Sequence, residues 1–286
     1  MHNITTTAAA IFLPTIWSLD VLRATETALV LAPLVKRLDS QVKAKGQAIT
    51  VPNVSNLVAN AKQPNQTTQT QAITETGTTI YINKWYEATF QLEDMPAIQA
   101  AYDLRSLYSE KCGYAIAKQI DSDTFSNYTT FTTSAQGQYG QNISDGTIVS
   151  GMNQLNINDI PMEGRAMVLA PSQIAAILQI DKFVRADYQG EYQKPQRAQI
   201  GPNNRYLWGN IYGFPVYYTN NVPVTISTPN QTNNILFQKE ALVLAVQMAP
   251  RLMAAYWLPY LAWLVTCDSI YGVSGLRTLG GVLIKT

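Results

Sequence analysis

Residues able to act as catalytic groups are few in this chain. His2 is the only histidine among the 286 residues, which excludes Ser-His-Asp and Cys-His catalytic sets and the two-histidine zinc motif. The pairs Glu93/Asp94 and Asp121/Asp123 are the remaining candidates for acid–base chemistry. Side chains one or two residues apart do not face each other on a helix, and acids are common near helix ends. The sequence therefore predicts no enzyme, no metal site and no cofactor.

Motifs for phosphate and metal binding are also missing from the sequence. It contains no Gly-Lys dipeptide, hence no P-loop, and no G-x-G-x-x-G. We interpret Gly272, Gly275 and the pair Gly280-Gly281 as turn glycines. The two cysteines, Cys112 and Cys267, are far apart and have no CxxC spacing, so we predict reduced, buried thiols in a protein kept in a reducing cytoplasm.

Composition points to contacts with other protein chains. Charged residues make up 14% of the sequence, against roughly 25% in typical soluble proteins, while Tyr (16) and Trp (5) are plentiful. Interfaces are depleted in charge and enriched in aromatics, which favours burial in an assembly over a neutral monomer. A net charge of +1 argues against a dedicated nucleic-acid binder. The apolar run 252–265 is too short for a membrane span and contains Pro259, so we expect a core segment.

The element that must position everything else is a long helix from Asp94 to about Asp123. Asp94 is a favourable N-cap and Pro96 lies in the first turn. Apolar residues recur at helical spacing, among them Tyr108, Cys112 and Ile116. At 1.5 Å per residue, about 28 residues would form a rod of roughly 40 Å. No catalytic set lies along this helix.

A long ribbon is predicted immediately before the helix. Ala48–Val54 has strand character, and Thr78–Leu92 alternates between apolar and polar residues with period two. Between them, residues 56–77 are rich in Asn, Gln and Thr and nearly free of charge. A two-stranded ribbon is marginal alone, and a loop of this length is unusual inside a compact domain. We therefore predict an arm that reaches over a neighbouring subunit.

The rest of the chain mixes helices and strands without βαβ regularity or an internal repeat, which predicts an α+β class. We expect helices over Pro14–Pro33, Pro171–Gln179 and Lys239–Met248. Strands are predicted over Met167–Ala170, Leu207–Tyr218 with a break at Gly213, Ile235–Phe237 and 276–284. Ser126–Asn158 and Asp187–Arg205 are predicted to be loops.

Short motifs in the second half resemble those of a known family. The segment Ile160-Pro161-Met162-Glu163-Gly164-Arg165, followed by Val168-Leu169-Ala170-Pro171-Ser172, resembles the P-x-E-G-R … V-x-x-P-S region of tailed-phage major capsid proteins. The segment from Gly209 to Pro223 is similar to the family's G-x-I-x-G-F-x-V-x-x-S-N-N-x-P stretch, with Thr219 in place of the usual Ser. Lys239-Glu240-Ala241, Val246-Gln247 and Tyr271-Gly272 fit later positions. In the first half, Trp17-Ser18, Leu104-Arg105 and Ala117-Lys118 are similar too, so the ordered motifs span nearly the whole chain.

This resemblance implies the Hong Kong 97-type capsid fold. Residues 1–44 would be the N-arm and 45–93 the extended E-loop ribbon. The peripheral domain, with the long spine helix, would comprise 94–140 and be completed by 248–272. The axial domain would comprise 141–247 and be completed by 273–286.

The resemblance also implies a function in assembly. Such chains form pentamers and hexamers in an icosahedral shell around double-stranded DNA bound without sequence specificity. Their partners are a portal and, in some cases, scaffolding or cement proteins, with no membrane involved; assembly would occur in the host cytoplasm. Two alternatives remain open, an encapsulin-like compartment shell and a non-shell phage structural protein. The residues expected at contacts between subunits are Lys62, Asn65, Gln66, Thr67, Thr70, Trp85, Glu110, Tyr192, Gln196, Arg197 and Asn203.

Overall fold

A computed structural model describes residues 30–42, 46–53, 57–68, 70–73, 75–99, 104–180 and 207–286. The predicted helix over Pro14–Pro33 lies almost entirely outside the described residues, as does the predicted loop Asp187–Arg205. The described strands, in chain order, are β1 (Lys36–Arg37), β2 (Ala48–Asn53), β3 (Thr76–Tyr81), β4 (Lys84–Glu93), β5 (Gln136–Gly137), β6 (Arg165–Leu169), β7 (Leu207–Ile211), β8 (Phe214–Tyr218), β9 (Val224–Thr225), β10 (Gln231–Gln238), β11 (Leu242–Trp257), β12 (Ala262–Gly275) and β13 (Gly281–Lys285). The described α-helices are α1 (Asp39–Val42), α2 (Asp94–Gln99), α3 (Leu104–Ser126), α4 (Asp145–Ile157) and α5 (Pro171–Ile177).

The long helix lies across one face of a four-stranded sheet. That sheet has the order β1-β11-β12-β4, with β11, β12 and β4 antiparallel. Helix α3 has 23 residues, about 34 Å at 1.5 Å per residue. It buries Cys112, Ile116 and Ile120, which share one helical face, against residues such as Cys267 and Tyr271 of β12. The predicted helix is thus present as α2 and α3, with residues 100–103 between them outside the description.

The base of the ribbon covers part of the opposite face of the same sheet. Strands β2 and β3 pair antiparallel, and Ile80 and Ile82 pack with Val243 and Ala245 of β11. Gly272 lies inside β12 at this crossing, where a Cβ atom would meet the carbonyl oxygen of Tyr81. The prediction that Gly272 is a turn glycine is therefore wrong: the residue is small because another backbone passes over it.

A seven-stranded sheet forms the second half of the molecule. Its order is β5-β13-β10-β6-β8-β7, and β9 pairs with β10. Helices α4 and α5 cover one face through residues such as Ile148, Leu155 and Ile177. The other face, including Val168 and Phe237, joins the core that contains α3. The two sheets therefore share one hydrophobic core along the inner side of the long helix.

Three sequence predictions are wrong in instructive ways. The predicted helix over Lys239–Met248 is a 3-10 turn, Lys239–Ala241, followed by strand β11. Leu242–Val246 is buried on both faces of the sheet, and a continuous apolar run of this kind has no hydrophobic periodicity that would distinguish a strand from a helix. The predicted strand over Thr78–Leu92 is two strands, β3 and β4, which pair in different sheets. The predicted loop Ser126–Asn158 contains α4, whose start is capped when the Ser144 side chain accepts a hydrogen bond from the Thr147 N–H.

Candidate assembly surfaces

Three of the four acids singled out in the sequence connect elements of the fold. The side chain of Asp121, near the end of α3, is fully buried. Its Oδ1 accepts hydrogen bonds from the backbone N–H groups of Leu31 (2.8 Å) and Ala32 (2.9 Å), and its Oδ2 accepts one from Asn221 Nδ2 (2.9 Å). One carboxylate thus connects the start of the described chain, the long helix and the turn after β8.

Asp123, two residues later, faces the four-stranded sheet. Its Oδ2 lies 3.1 Å from Lys84 Nζ and accepts a 2.6 Å hydrogen bond from the hydroxyl of Tyr271. Burial, and then this bond, raise the pKa of Tyr271 well above its ordinary value. In the other pair, Asp94 accepts a 2.6 Å hydrogen bond from Tyr256, and Glu93 is exposed. Each partnered acid is therefore engaged in tying elements together.

Neither cysteines nor acids assemble a metal site in the described part of the chain. No group of three or more His, Cys, Asp or Glu residues is placed there to hold a metal ion. Cys112 and Cys267 are free and buried, as predicted, and burial raises the pKa of both thiols. None of the described helices is long and apolar enough to cross a membrane.

The ribbon ends in a preformed turn. Gln66 N–H donates to the Gln63 carbonyl at 3.3 Å, Pro64 follows Gln63, and Asn65 has a φ of +64°. Proline followed by a residue with positive φ is the signature of a type II turn, because proline fixes the first φ and asparagine tolerates the second. Below the turn, the side-chain amide of Gln71 joins the two sides of the ribbon. It accepts a hydrogen bond from the Val58 N–H (2.9 Å) and donates one to the Val58 carbonyl oxygen.

Five of the predicted contact residues lie together at this tip. Lys62, Asn65, Gln66, Thr67 and Thr70 are all exposed. We call residues 57–73, where described, the tip. No β-strand is assigned within it, so its side chains and much of its backbone are available to another molecule. The structure thus brings these five residues together at one end of the ribbon.

Trp85, another predicted contact residue, lies on the face of the four-stranded sheet that α3 does not cover. The indole is 70% exposed, and its Nε1 donates to Asp268 Oδ2 at 3.2 Å. Arg251 forms a bidentate salt bridge with the same carboxylate: its Nε donates to Oδ1 at 2.9 Å and its Nη2 donates to Oδ2 at 3.1 Å. The Arg251 hydrogen bond lowers the pKa of Asp268 below its ordinary value, against the opposing effect of burial.

The register defines the rest of this surface, which we call the open face. Residues directly opposite each other on neighbouring strands share a face. Trp85 opposes Ile270, Glu87 opposes Asp268, Thr89 opposes Thr266, and Arg251 opposes Asp268. Thr89 and Thr266 are joined by a 3.1 Å hydrogen bond between their hydroxyls. The open face therefore comprises Trp85, Glu87, Thr89, Gln91, Arg251, Met253, Thr266 and Asp268.

The far end of the β11–β12 hairpin is an exposed apolar patch that was not predicted from the sequence. We call it the hairpin end: Trp257, Leu258, Tyr260, Leu261 and Trp263, all with much of their surface exposed. The prediction that 252–265 is a core segment is wrong for these residues. Arg105 lies over the Trp263 ring at 5.0 Å, and the Trp257 and Tyr260 rings meet edge to face at 4.9 Å. Exposed apolar patches rimmed by polar residues are typical of contacts with other proteins.

The remaining predicted contact residues are separated from the tip or lie outside the description. Glu110 is exposed on α3, on a different element from Trp85. Tyr192, Gln196, Arg197 and Asn203 lie outside the described residues, so their expected position at a symmetry axis stays a prediction.

Comparison with known proteins finds matches by structure and none by sequence. Neither a protein-family model nor a curated protein matches the sequence. A structure from Mycobacterium phage Che8 matches with a TM-score of 0.75 and 22% identity, covering 96% of this chain and 97% of that one. The capsid structure of cyanophage P-SCSP1u matches with a TM-score of 0.74 and 18% identity, covering 99% and 96%.

A third solved structure extends the same result. The capsid of Ralstonia phage GP4 matches with a TM-score of 0.67 and 14% identity, covering 88% of this chain and 87% of that one. At sequence identities this low, the structural matches establish the fold alone. The chain has the Hong Kong 97-type α+β fold that the sequence motifs predicted.

Proposed function

We propose that this chain is the major capsid protein of a tailed bacteriophage. It assembles as pentamers and hexamers into an icosahedral shell around double-stranded DNA, in the host cytoplasm, together with a portal and, in some systems, scaffolding or cement proteins. One observation carries the proposal: the structural match extends over nearly the full length of this chain and of phage capsid chains, so the whole chain has the capsid architecture.

Two features of the described chain support assembly by self-contact. The tip is an ordered turn that projects from the ribbon with its polar side chains exposed. The hairpin end presents aromatic and leucine side chains to solvent, which a monomer would gain nothing by exposing. A subunit with a projecting arm and an apolar end is suited to contacts with several neighbours.

The role of the chain in this proposal is structural. Asp94, Asp121 and Asp123 connect elements of the fold, and the described residues hold no metal cluster. DNA would be enclosed by the shell without base readout, and a net charge of +1 gives the chain little electrostatic attraction to the phosphate backbone. The domain limits given by the family resemblance, with an E-loop at 45–93 and an axial domain at 141–247, belong to the same proposal.

Negative-stain micrographs of the protein, expressed alone and with its gene neighbours, test the function. Closed shells of uniform diameter are the expected result, and particles purified from infected cells should show a 260/280 nm absorbance ratio typical of nucleic acid. Shells that contain protein cargo and no nucleic acid would indicate an encapsulin-like compartment. Open tubes, sheets or monomers under every condition would contradict a shell function and indicate another phage structural protein.

Replacing residues 60–72 by a short turn tests the arm. The tip lies outside the three hydrophobic clusters, so the variant should fold and unfold like the parent protein. We expect monomers with unchanged circular dichroism that form no shells. Normal shells from this variant would show that the tip is dispensable for assembly.

A further inference from the structure

The two cysteines of the chain lie in one hydrophobic cluster, on opposite sides of the interface between α3 and the four-stranded sheet. Cys112 is on the buried side of α3, and Cys267 is on the side of β12 that faces the helix. Cys267 has 4% of its surface exposed and Cys112 has 9%. Neither thiol belongs to the tip, the open face or the hairpin end, so the proposed shell contacts do not use them.

The register along α3 and β12 places the two thiols level with each other. Tyr108 of α3 contacts Phe90, with ring centroids 5.6 Å apart, and Phe90 is directly opposite Val265 of β12. From Tyr108 to Cys112 the helix advances about 6 Å, and from Val265 to Cys267 the strand advances about 7 Å. The two cysteines are thus almost equally far from the same contact.

A second contact gives the same result. Asp123 of α3 accepts the hydrogen bond from Tyr271 of β12. From Cys112 to Asp123 the helix advances about 16 Å, and from Cys267 to Tyr271 the strand advances about 13 Å. The helix and the strand therefore run in the same direction, and the two contacts agree on the level of the thiols to within about 3 Å.

The environment of Cys267 agrees with this register. Ala88 of β4, a small residue, is directly opposite Cys267 and packs against the same cluster. Burial raises the pKa of the Cys267 thiol, and the neighbouring Cys112 thiol raises it further. A like charge has this effect only at short range, so the two sulfur atoms are near neighbours.

We propose that Cys112 and Cys267 are a modification site, at which a peroxide oxidises the two thiols to a disulfide bond that joins the long helix to the four-stranded sheet. A disulfide requires Cα atoms about 4.4–6.8 Å apart, and the small side chains of Cys112, Cys267 and Ala88 leave the helix free to approach the sheet to that distance. The bond itself does not depend on the proposed function, since both thiols belong to one subunit. Its use, to reinforce shells that have left the reducing cytoplasm, rests on that function.

The reaction consumes one hydrogen peroxide and releases two waters. The Cys112 thiolate attacks one peroxide oxygen, the O–O bond breaks, and the hydroxide that leaves takes up the proton lost by the thiol. The Cys267 thiolate then attacks the sulfur of the sulfenic acid, the S–S bond forms, and a second hydroxide leaves as water with the proton of the second thiol. The two sulfur atoms together lose two electrons, which reduce the peroxide. Cys112 reacts first because it is the more exposed thiol.

Burial makes this reaction slow, and a glycine provides the route of entry. Burial raises the pKa of Cys112, so little of the reactive thiolate is present at neutral pH. Gly113, the next residue, has no atom within 4 Å that would exclude a Cβ atom, so packing does not demand a glycine there. Glycine inside a helix weakens it locally. Local opening at Gly113 gives peroxide access to Cys112.

Hydrogen peroxide treatment of the unassembled wild-type subunit tests the site. Samples are denatured at intervals, the remaining thiols are blocked with N-ethylmaleimide, and intact mass and peptide mapping follow the product. We expect a chain lighter by two hydrogens that takes up no maleimide, with the peptides of Cys112 and Cys267 joined, and dithiothreitol should reverse the change. The rate should rise about tenfold per pH unit below the thiol pKa, because the thiolate is the nucleophile.

Two variants provide matched controls, with folding checked by circular dichroism. Cys112→Ala combined with Ala115→Cys keeps two thiols but moves one to an exposed position of the same helix, and it should not form the bond within one chain. Gly113→Ala should slow the wild-type reaction about fivefold, since alanine lowers the population of locally opened helix by about that factor. An unchanged rate would overturn the assigned route of entry.

The oxidised subunit should resist unfolding more than the reduced one. The bond links positions 155 residues apart, and constraining so long a loop in the unfolded chain should lower the unfolding equilibrium constant about thirtyfold or more. Urea unfolding of the two forms measures it, and equal stability would overturn the reinforcing role. Wild-type thiols that end as separate sulfinic acids, or as links between different chains, would overturn the site. Protein that never forms shells would contradict the proposed function and leave the result on the disulfide standing.

Discussion

The two ends of the four-stranded sheet differ in what covers them. The inner end is where Leu242 of β11 pairs with Gly275 of β12. There α3 lies on one face of the sheet and the ribbon base on the other, and the side chains between these layers are buried. At the outer end, the same two strands continue to the hairpin end, where leucine and tryptophan side chains are exposed. One pair of strands thus passes from a subunit core to a surface.

This contrast suggests different roles for the two ends of the sheet. The inner end contains closed polar networks, in which Asp121 and Asp123 have all their partners within the chain. The outer end has leucine and aromatic side chains that stay largely exposed, although Arg105 lies over Trp263 and Tyr256 donates a hydrogen bond to Asp94. Changes at the inner end should therefore act on folding, and changes at the outer end on assembly.

Asp121→Ala should have the largest effect on folding. It removes the acceptor for three buried donors, the N–H groups of Leu31 and Ala32 and the Asn221 amide. Leaving hydrogen-bond donors buried without a partner is costly, and we expect a loss of about 3–5 kcal/mol in the free energy of unfolding. Urea unfolding of the unassembled subunit measures it. Ser122→Ala, one residue away and exposed on the same helix, is the matched control and should change stability little; an equal loss in both variants would argue against the network.

Tyr271→Phe should have an intermediate effect that depends on pH. It removes the hydrogen bond to Asp123, so we expect a loss of about 1–2 kcal/mol at neutral pH. The pKa of Tyr271 is raised in the folded state above its ordinary value near 10. The corresponding stability is therefore fully present below about pH 10 and is lost as pH rises beyond it, where the unfolded chain releases the proton first.

The difference between wild type and Tyr271→Phe isolates this proton from those of the other tyrosines. It should stay constant from pH 7 to about 9 and shrink above about pH 10. Tyr81→Phe, an exposed tyrosine on the ribbon, serves as the control with little loss at neutral pH. A wild-type advantage that grows in alkali would contradict the assigned bond.

Strand β4 and the start of the helix that follows it were predictable from sequence because local rules decide them. Period-two alternation from Lys84 to Glu93 matches the observed burial along β4, and helix α2 begins at Asp94, where the sequence predicted a helix start. Helix α4 was missed although Ser144, Ile148 and Leu155 give it a cap and an apolar face; the surrounding Ser, Thr and Asn hid the period.

The exposure of the outer end was not predictable because an apolar run does not show whether anything covers it. An apolar run such as Trp257–Trp263 satisfies the same composition rules whether a core or a neighbouring subunit covers it. At the inner end, Leu242–Val246 was not predictable either, because the segment is buried on both sides and lacks the alternation that would have marked a strand. Long-range pairing, as between β4 and β12, leaves no local signature.

Leu258→Ser should have the smallest effect on folding and a large one on assembly. Leu258 is 73% exposed at the hairpin end, so its replacement should change the free energy of unfolding by less than about 0.5 kcal/mol. Leu244→Ser, in the buried half of β11, is the opposite control: it places a hydroxyl in the core, and we expect a loss of about 3 kcal/mol or more. Light scattering then compares the concentration at which each protein forms shells. If Leu258→Ser assembles like wild type, the hairpin end is not a contact between subunits, and the exposed aromatic rings there need another partner. If it folds normally and assembles only at several-fold higher concentration, the sheet has one end that makes the subunit and one that joins it to its neighbours.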